Sequence, residues 1–588
     1  MALVQDILDR FRALASDRSP WDQKWREVAV YALPDADRFD VMFANGELSA
    51  TAAVTNAVVG TPVAAERSPT IFDMTSLWAI DRMANGLMSL VTPQSSNWHD
   101  MASDDPFGGD PSDEEMLFYE GLRDYLFRTR GNPRSGFWTM HKAAIRCMCA
   151  FGTAVSFLEE STRGVSSPIS YRFIPLSENY LGVSHEGTVN VNYRLFSLTA
   201  RQAVAKYGTS VSSKTLTMAN DPKDGDKSVQ FIHAVQPRED AGSYSYGSDN
   251  RSAPWSSCVI EIDEKKLVGE SGYWEFPFRV DHWQRNNPGP YSEGPMSLAL
   301  AEVKSLNMLS KQELRAVQQW VDPPYATVAT TERLNLNSRA PNPGFLTDGG
   351  DLLVKPIHLQ ERPDFAQTIL QARREAVSKT LYVPLWSTIL DSPRERTAYE
   401  TMLLNQEKGD LIGPVGSSMQ VGLSWMVDRE TGILARKGAF EDGSPLAPPQ
   451  SLRGKAIGVR FTSPLDRLRR LPQLQGMTQL WELAGRIAQS QVAAGQAPTV
   501  FDKLSADKTL DEAQEILGAP QKIMVADDEV AQVRSQRTNA ANAKTAIDMT
   551  REGGEAAMAA GTGIDTIAQS PAATAVLKNI AGVAGVPA

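Results

Sequence analysis

Cysteine is scarce in this chain: three residues, Cys147, Cys149 and Cys258, among 588. Three cannot build a disulfide framework, and Cys147 and Cys149 have no further ligands at metal-binding spacing, so a reducing compartment is expected. Histidine is nearly as rare. His99, His141, His185, His233, His282 and His358 show no i, i+3 or i+4 pairing, which leaves no basis for a metal site. No apolar run approaches the length needed to cross a bilayer. The first ten residues carry Asp6, Asp9 and Arg10 where a signal peptide would have an apolar stretch. A soluble chain without membrane contact is expected. Basic residues are outnumbered, 59 Lys and Arg against 70 Asp and Glu, for a formal net charge of -11. That balance argues against tight non-specific DNA binding, which needs a large cationic excess, but not against a protein past which DNA slides.

Catalytic signatures are missing as well. No G-x-x-x-x-G-K-[ST] loop occurs; Gly454-Lys455 is followed by Ala456 and lacks the first glycine. There is no G-x-G-x-x-G after a strand, no H-E-x-x-H and no G-x-S-x-G. The acidic pairs Asp104-Asp105, Glu114-Glu115 and Asp527-Asp528 read as solvated charges of loops and helix starts. A structural protein is expected, with no enzymatic activity, cofactor or metal.

What is present is helix, then strand, then helix. Val4, Ile7, Leu8, Phe11 and Leu14 share a helical face, and Ser19-Pro20 reads as the cap and first turn of a second helix carrying Trp21 and Trp25. Ala44 to Pro69 reads as a long loop. Ile80, Met83, Ala84, Leu87, Met88 and Val91 form an apolar stripe ended by Thr92-Pro93. Ser112 and Glu115 have capping-box spacing, and a further helix covers about Ser135 to Ala150. Short strands are predicted at Ala154–Leu158, Ile169–Ile174, Val189–Leu195, Val229–Val235 and Ser257–Ile262, with a helix from Thr199 to Tyr207 closed by Gly208. The fold class is α+β, mainly helical, in several subdomains for a chain this long.

The middle of the chain pairs two helices. One starts at Gly294-Pro295, with Val303, Leu306, Val317 and Val321 on one face, and stops at Pro323-Pro324. About forty irregular residues follow. The second runs from Pro363 to Tyr382 with Phe365, Ile369, Ala372, Ala376 and Thr380 aligned. Arg373, Arg374 and Lys379 lie on it, as a solvated face or as DNA-facing charges. A polar segment, Ser387 to Arg396, contains Arg394, Glu395 and Arg396. A long helix then spans Thr397 to Lys437, its buried face marked by Leu411, Val415, Met419, Leu423 and Met426 and its middle bent at Gly413-Pro414. Helices return at Leu474–Ser490 and Leu510–Leu517 before an Ala-rich tail from Ala526.

Five strings occur in the order they have in one family. They are TSLWAIDRMANGLMSLVTPQSSNWHDM from Thr75, CAFGTAVSFLEE from Cys149, and FIPLSENYLGVSHEGTVNVNYRLFSLTARQAVAKYG from Phe173. GPMSLALAEVKSLNMLSKQELRAVQQWVDPPY from Gly294 and TAYETMLLNQEKGDLIGPVGSSMQVGLSWMVDRETGIL from Thr397 complete the set. From Trp21 to Arg470 the chain resembles the portal, or head-to-tail connector, family of short-tailed double-stranded DNA phages. Residues 44–69 and the C-terminal tail depart from it.

The resemblance implies a ring, usually of twelve subunits, at one capsid vertex of the virion, assembled in the host cytoplasm. It implies a wing over 1–294, stem helices at 295–322 and 363–383 and a clip at 323–362 between them. A tunnel loop at 384–396, a kinked tunnel helix at 397–437, a return to the wing at 438–472 and a crown at 473–525 follow, then a tail at 526–588 that is either a barrel or without fixed structure. By the same resemblance Val303, Leu306, Val317, Phe365 and Ile369 form the ring interface, and Arg394, Glu395 and Arg396 line the DNA channel, where Arg373, Arg374 and Lys379 are weighed as further contacts. Expected partners are further copies of the chain, viral DNA, the terminase large subunit, a head-tail adaptor, and the major capsid and scaffolding proteins. Another ring-forming head-completion or tail-hub component, or a nucleic-acid enzyme without a known motif, are the alternatives.

Overall fold

The computed structural model describes residues 2–35, 39, 43–44, 47–48, 70–104, 111–161, 167–238, 250–285, 288–321, 325–327, 346–347, 349, 351–356, 363–387, 398–517, 523–525 and 529–543. They divide into two compact units, Met1–Ser505 and Ala506–Ala588.

The first unit begins with one long helix where two are predicted. Helix α1 (Ala2–Ala32) continues through Pro20. Proline removes a donor to the carbonyl of Ser16, but Ser16 and Pro20 are both exposed, so water can satisfy that carbonyl. Two residues earlier Arg18 is fully buried, donating to the carbonyls of Leu176, Ser177 and Asn179 and paired with Asp22 at 3.0 Å. Tertiary anchoring on both sides of the proline holds the helix together.

After a minimal hairpin, β1 (Phe43–Ala44) and β2 (Glu47–Leu48), come α2 (Thr75–Val91), β3 (His99–Ser103), α3 (Asp113–Gly131) and α4 (Phe137–Phe151). The stripe on α2 is buried as predicted, except that Met88 is half-buried. The capping box of Ser112 and Glu115 starts α3. Strands β4 (Thr153–Glu160), β5 (Ile169–Ile174), β6 (Asn179–Val183) and β7 (Val189–Thr199) lead to α5 (Ala200–Tyr207), opened by a Thr199–Gln202 capping box, and α6 (Ser213–Asn220). Then follow β8 (Ser228–Pro237), β9 (Trp255–Glu261), β10 (Lys266–Tyr273) and β11 (Phe278–His282).

Five of these strands form an antiparallel sheet in the order β10-β9-β8-β7-β6. Side chains alternate across it. Val191, Tyr193, Leu195, Ile232 and Ala234 meet Ile7, Leu8, Phe11 and Ala15 of α1. Phe196, Val229 and Phe231 face α5 through Ala200 and Ala203 and α6 through Leu216. A second sheet, β11-β4-β5, backs onto the main core with α2 and α4.

The remaining elements of the unit are α7 (Pro295–Val321), the short pair β12 (Tyr325–Thr327) and β13 (Val354–Pro356), α8 (Pro363–Thr380), α9 (Val383–Ser387), α10 (Ala398–Arg436), β14 (Ile457–Phe461) and α11 (Pro464–Ala493). Helix α11 starts at a Ser463–Asp466 capping box and passes through Pro472, so the expected wing-to-crown boundary falls inside a continuous helix. The structure is mainly helical α+β. In the second unit α12 (Ala506–Leu517) is followed by helix at 529–543, with Arg534 paired to Asp507 at 2.6 Å.

Candidate assembly and channel surfaces

Helices α7 and α8 pack together, and polar contacts close the base of their hairpin. Asn307 on α7 accepts from the backbone N–H of Phe72 at 2.7 Å and donates to the carbonyl of Thr70 at 2.9 Å. Asp73 accepts from the N–H of Thr75, starting α2, and from Nε of Arg374 on α8 at 3.0 Å. Burial alone would raise the pKa of Asp73, but the bonds from Thr75 and Arg374 outweigh it and hold the carboxyl below its ordinary range. Arg373 pairs with Glu302 across the two helices. Two of the three cations singled out on α8 are thus engaged within the chain, while Lys379 is exposed.

The apolar face of α7 changes character along its length. Val303 and Leu306 are 4% and 1% exposed, whereas Val317 is 46% exposed and Val321 71%. Leu314 and Trp320 add to the uncovered stretch. Neither was singled out from sequence, although Leu314, Val317 and Val321 have the i, i+3, i+7 spacing of one face. On α8 the buried line is Leu370 and Val377, continued by Leu381 just past its end, one position off the predicted one. Ile369 is half-buried, Ala372 and Thr380 are exposed, and the side chain of Phe365 lies outside the described residues.

Helix α10 runs unbroken through Pro414. Its buried face is Ile412, Val415, Met419, Leu423 and Met426; Leu411, expected there, is about half exposed. Gly413 sits 3.7 Å from Nε of Arg469 on α11, as measured from where its Cβ would stand. At Gly416 and Gly432 a side chain would collide with Leu465 and Glu275, so glycine lets both neighbours approach the helix.

The C-terminal half of α10 is held by charges. Glu430, fully buried, accepts from Arg130 of α3 at 3.1 and 2.5 Å and from the Tyr171 hydroxyl of β5 at 2.5 Å. Arg130 also lies 2.6 Å from Nε2 of His99 and stacks over Trp98. Burial first, then Arg130, keeps the His99 pKa well below its ordinary value. Arg429 donates to the carbonyls of Leu158 and Glu275. Arg436 forks between Glu160 at 2.9 Å and the Glu275 carboxylate at 2.6 and 3.0 Å. Bidentate, charge-assisted bonds of this kind fix orientation as well as position. None of these residues was singled out from sequence; Arg130 and Glu430 are 300 residues apart, and no local spacing announces them.

Arg394, Glu395 and Arg396 lie outside the described residues. Among the described residues no cluster of His, Cys, Asp or Glu is arranged to hold a metal ion, and no helix is long and apolar enough to cross a membrane.

Comparison with known proteins matches residues 4–525 to the family described as bacteriophage head to tail connecting protein. The portal protein of Salmonella phage epsilon15 is 24% identical over 594 residues, covering 98% of both chains. The probable portal protein of Bordetella phage BPP-1 is 24% identical over 608 residues, again covering 98% of each. A chain of the virion of a native gene transfer agent particle aligns over 73% of this chain and 92% of its own, at 13% identity and a TM-score of 0.33. With most of its length matched, the chain belongs to the bacteriophage head to tail connecting proteins, a structural family and not an enzymatic one.

Proposed function

We propose that this chain is the portal of a short-tailed phage: a ring at one capsid vertex through which DNA is packaged and later ejected. The observation that carries the reading is the uncovered distal half of α7, an apolar face continuous with a buried one. Head-to-tail contacts repeated around a closing rotation would cover it in every copy and leave a central channel. Twelve copies is the number the family resemblance implies. In this reading α7 and α8 are the stem, 323–362 the clip that meets first terminase and then the tail adaptor, and 1–294 the wing. The segment from 384 to 396 borders the channel.

The acidic balance suits passage of DNA rather than retention by the whole bore. A belt of Arg394 and Arg396 would grip phosphate, and Glu395 between them would weaken that grip. Negative-stain images of the purified full-length chain test the proposal: rings with a central hole are expected, and single 64.3 kDa particles would refute it. Replacing both arginines by alanine should leave rings intact and change the nuclease-protected DNA in assembled heads. Unchanged packaging and retention would remove the belt from the account. No ATP hydrolysis by the isolated chain is expected, because no phosphate-cradling loop is present.

A further inference from the structure

Between α8 and α10 lies α9, five residues long, and its attachment to α2 has unusual features. Trp386 is laid against Gly86, so closely that a methyl group there would overlap the indole carbons Cε3 and Cδ2. Arg82, one turn earlier on α2, donates from a terminal nitrogen to the carbonyl of Trp386 at 3.1 Å and lies over the ring of Trp78. The contact is nevertheless incomplete. The indole N–H of Trp386 and Nε of Arg82 are both buried without a hydrogen-bond partner. Buried donors left unpaired oppose the docked arrangement.

A second cost sits at the other end of the strap. Tyr382, the turn from α8 into α9, has φ +56°, a left-handed conformation that a bulky residue adopts only when its surroundings impose it. Its neighbours supply that constraint: Leu381 and Val383 are buried in the main core, and the Tyr382 ring lies 6.2 Å from that of Trp283. Docked apolar surface thus works against two unpaired donors and a strained turn, all within one short segment. Local opening is favoured where the contacts that hold a short segment are imperfect.

We infer that α9 is a releasable strap: docked, its Trp386 latches the end of α8 to the Gly86 notch of α2, and undocked it swings about Tyr382. Release relieves the strained turn, hydrates both unpaired donors and loosens the link between α8 and α10 without unfolding either. The device does not depend on the ring reading.

Hydrogen exchange on the full-length chain tests it through Gly86→Ala, backed by Trp386→Ala. Alanine at an interior helix position favours α2 intrinsically while expelling the indole. In the parent protein, amides of 385–387 should exchange at least about tenfold faster than the interiors of α2 and α8, through a local opening. Gly86→Ala and Trp386→Ala should each accelerate the α9 amides by a further factor of about ten, with α2 and α8 unchanged or slower. Equal protection of all three helices in the parent would overturn the strap. So would variants that leave α9 unaltered, or that accelerate the three helices together.

Discussion

Helices α7 and α10 are both long and apolar on one face, and the chain completes only one of them. The face of the second half of α10 that carries Met419, Leu423 and Met426 is enclosed by β4, β5, β11 and α3, and even Arg429 and Glu430 are buried with partners, while Val421 and Trp425 stay exposed on its outer side. The second half of α7 carries Leu314, Val317, Trp320 and Val321 into the open. The inward face of α10 is covered by the chain's own residues; the distal face of α7 is an apolar surface that, in the proposed ring, a further copy would cover. In the proposed ring the difference separates what stabilises the subunit from what assembles it, and substitutions in the two regions should then have opposite signatures.

The largest effect is expected at Glu430. Removing the carboxylate by Glu430→Ala leaves Arg130 charged and buried, a loss of about 3–5 kcal/mol in the stability of the first unit. Chemical denaturation of the unassembled chain measures it, and a loss below about 1 kcal/mol would show that water reaches the pair. Next comes a contrast along α7 itself. Leu306→Ala should cost about 2–5 kcal/mol through the cavity it leaves. Val317→Ala in the same unassembled chain should stay within about 0.5 kcal/mol, as for an exposed site. Comparable losses at both positions would erase the division of the helix.

Acid should act on the finished region. Burial first, and then nearby cations, lowers the pKa of His233 to about 3 and of His282 to about 4, and holds His99 and His141 well below the ordinary 6.5. The folded state therefore binds fewer protons than the unfolded one below pH 6.5. Stability is complete above that value and declines progressively as pH falls toward the folded values. Thermal unfolding midpoints should begin to drop below about pH 6.5, ahead of the carboxylate range. Midpoints flat down to about pH 5 would mean these rings are not held neutral. The smallest effect belongs to the half-exposed Arg373–Glu302 pair: Arg373→Ala should cost no more than about 1 kcal/mol, and less at high salt.

Much of this architecture was legible where the signal is local. The capping box at Ser112, the helix that follows Thr199, the α2 stripe and the extent of α7 follow from periodicity and cap chemistry alone. Strand β11 was missed because Arg279 and Asp281 look like surface residues, yet they are buried as a pair 2.9 Å apart. Strand β10 hides behind Gly269 and Gly272, which weaken any strand pattern. Leu411 was chosen over Ile412 because they lie four and three residues before Val415, both at helical spacing, and spacing alone does not choose between them. The anchors of α10 depend on pairings across the whole chain and have no signature in any window of sequence. Val303, Leu306 and Val317 were placed on one helical face by spacing, but nothing in spacing says that the first two are covered by the chain and the third left open.

Assembly tests that last distinction most directly. Sedimentation of the full-length chain and of Val317→Asp, with circular dichroism on both, measures mass and helix content together. A parent species many times 64.3 kDa, and a variant that stays small with unchanged helix, is the predicted result. A monomeric parent, or a variant that assembles as the parent does, would contradict the claim that the open half of α7 is an interface between copies.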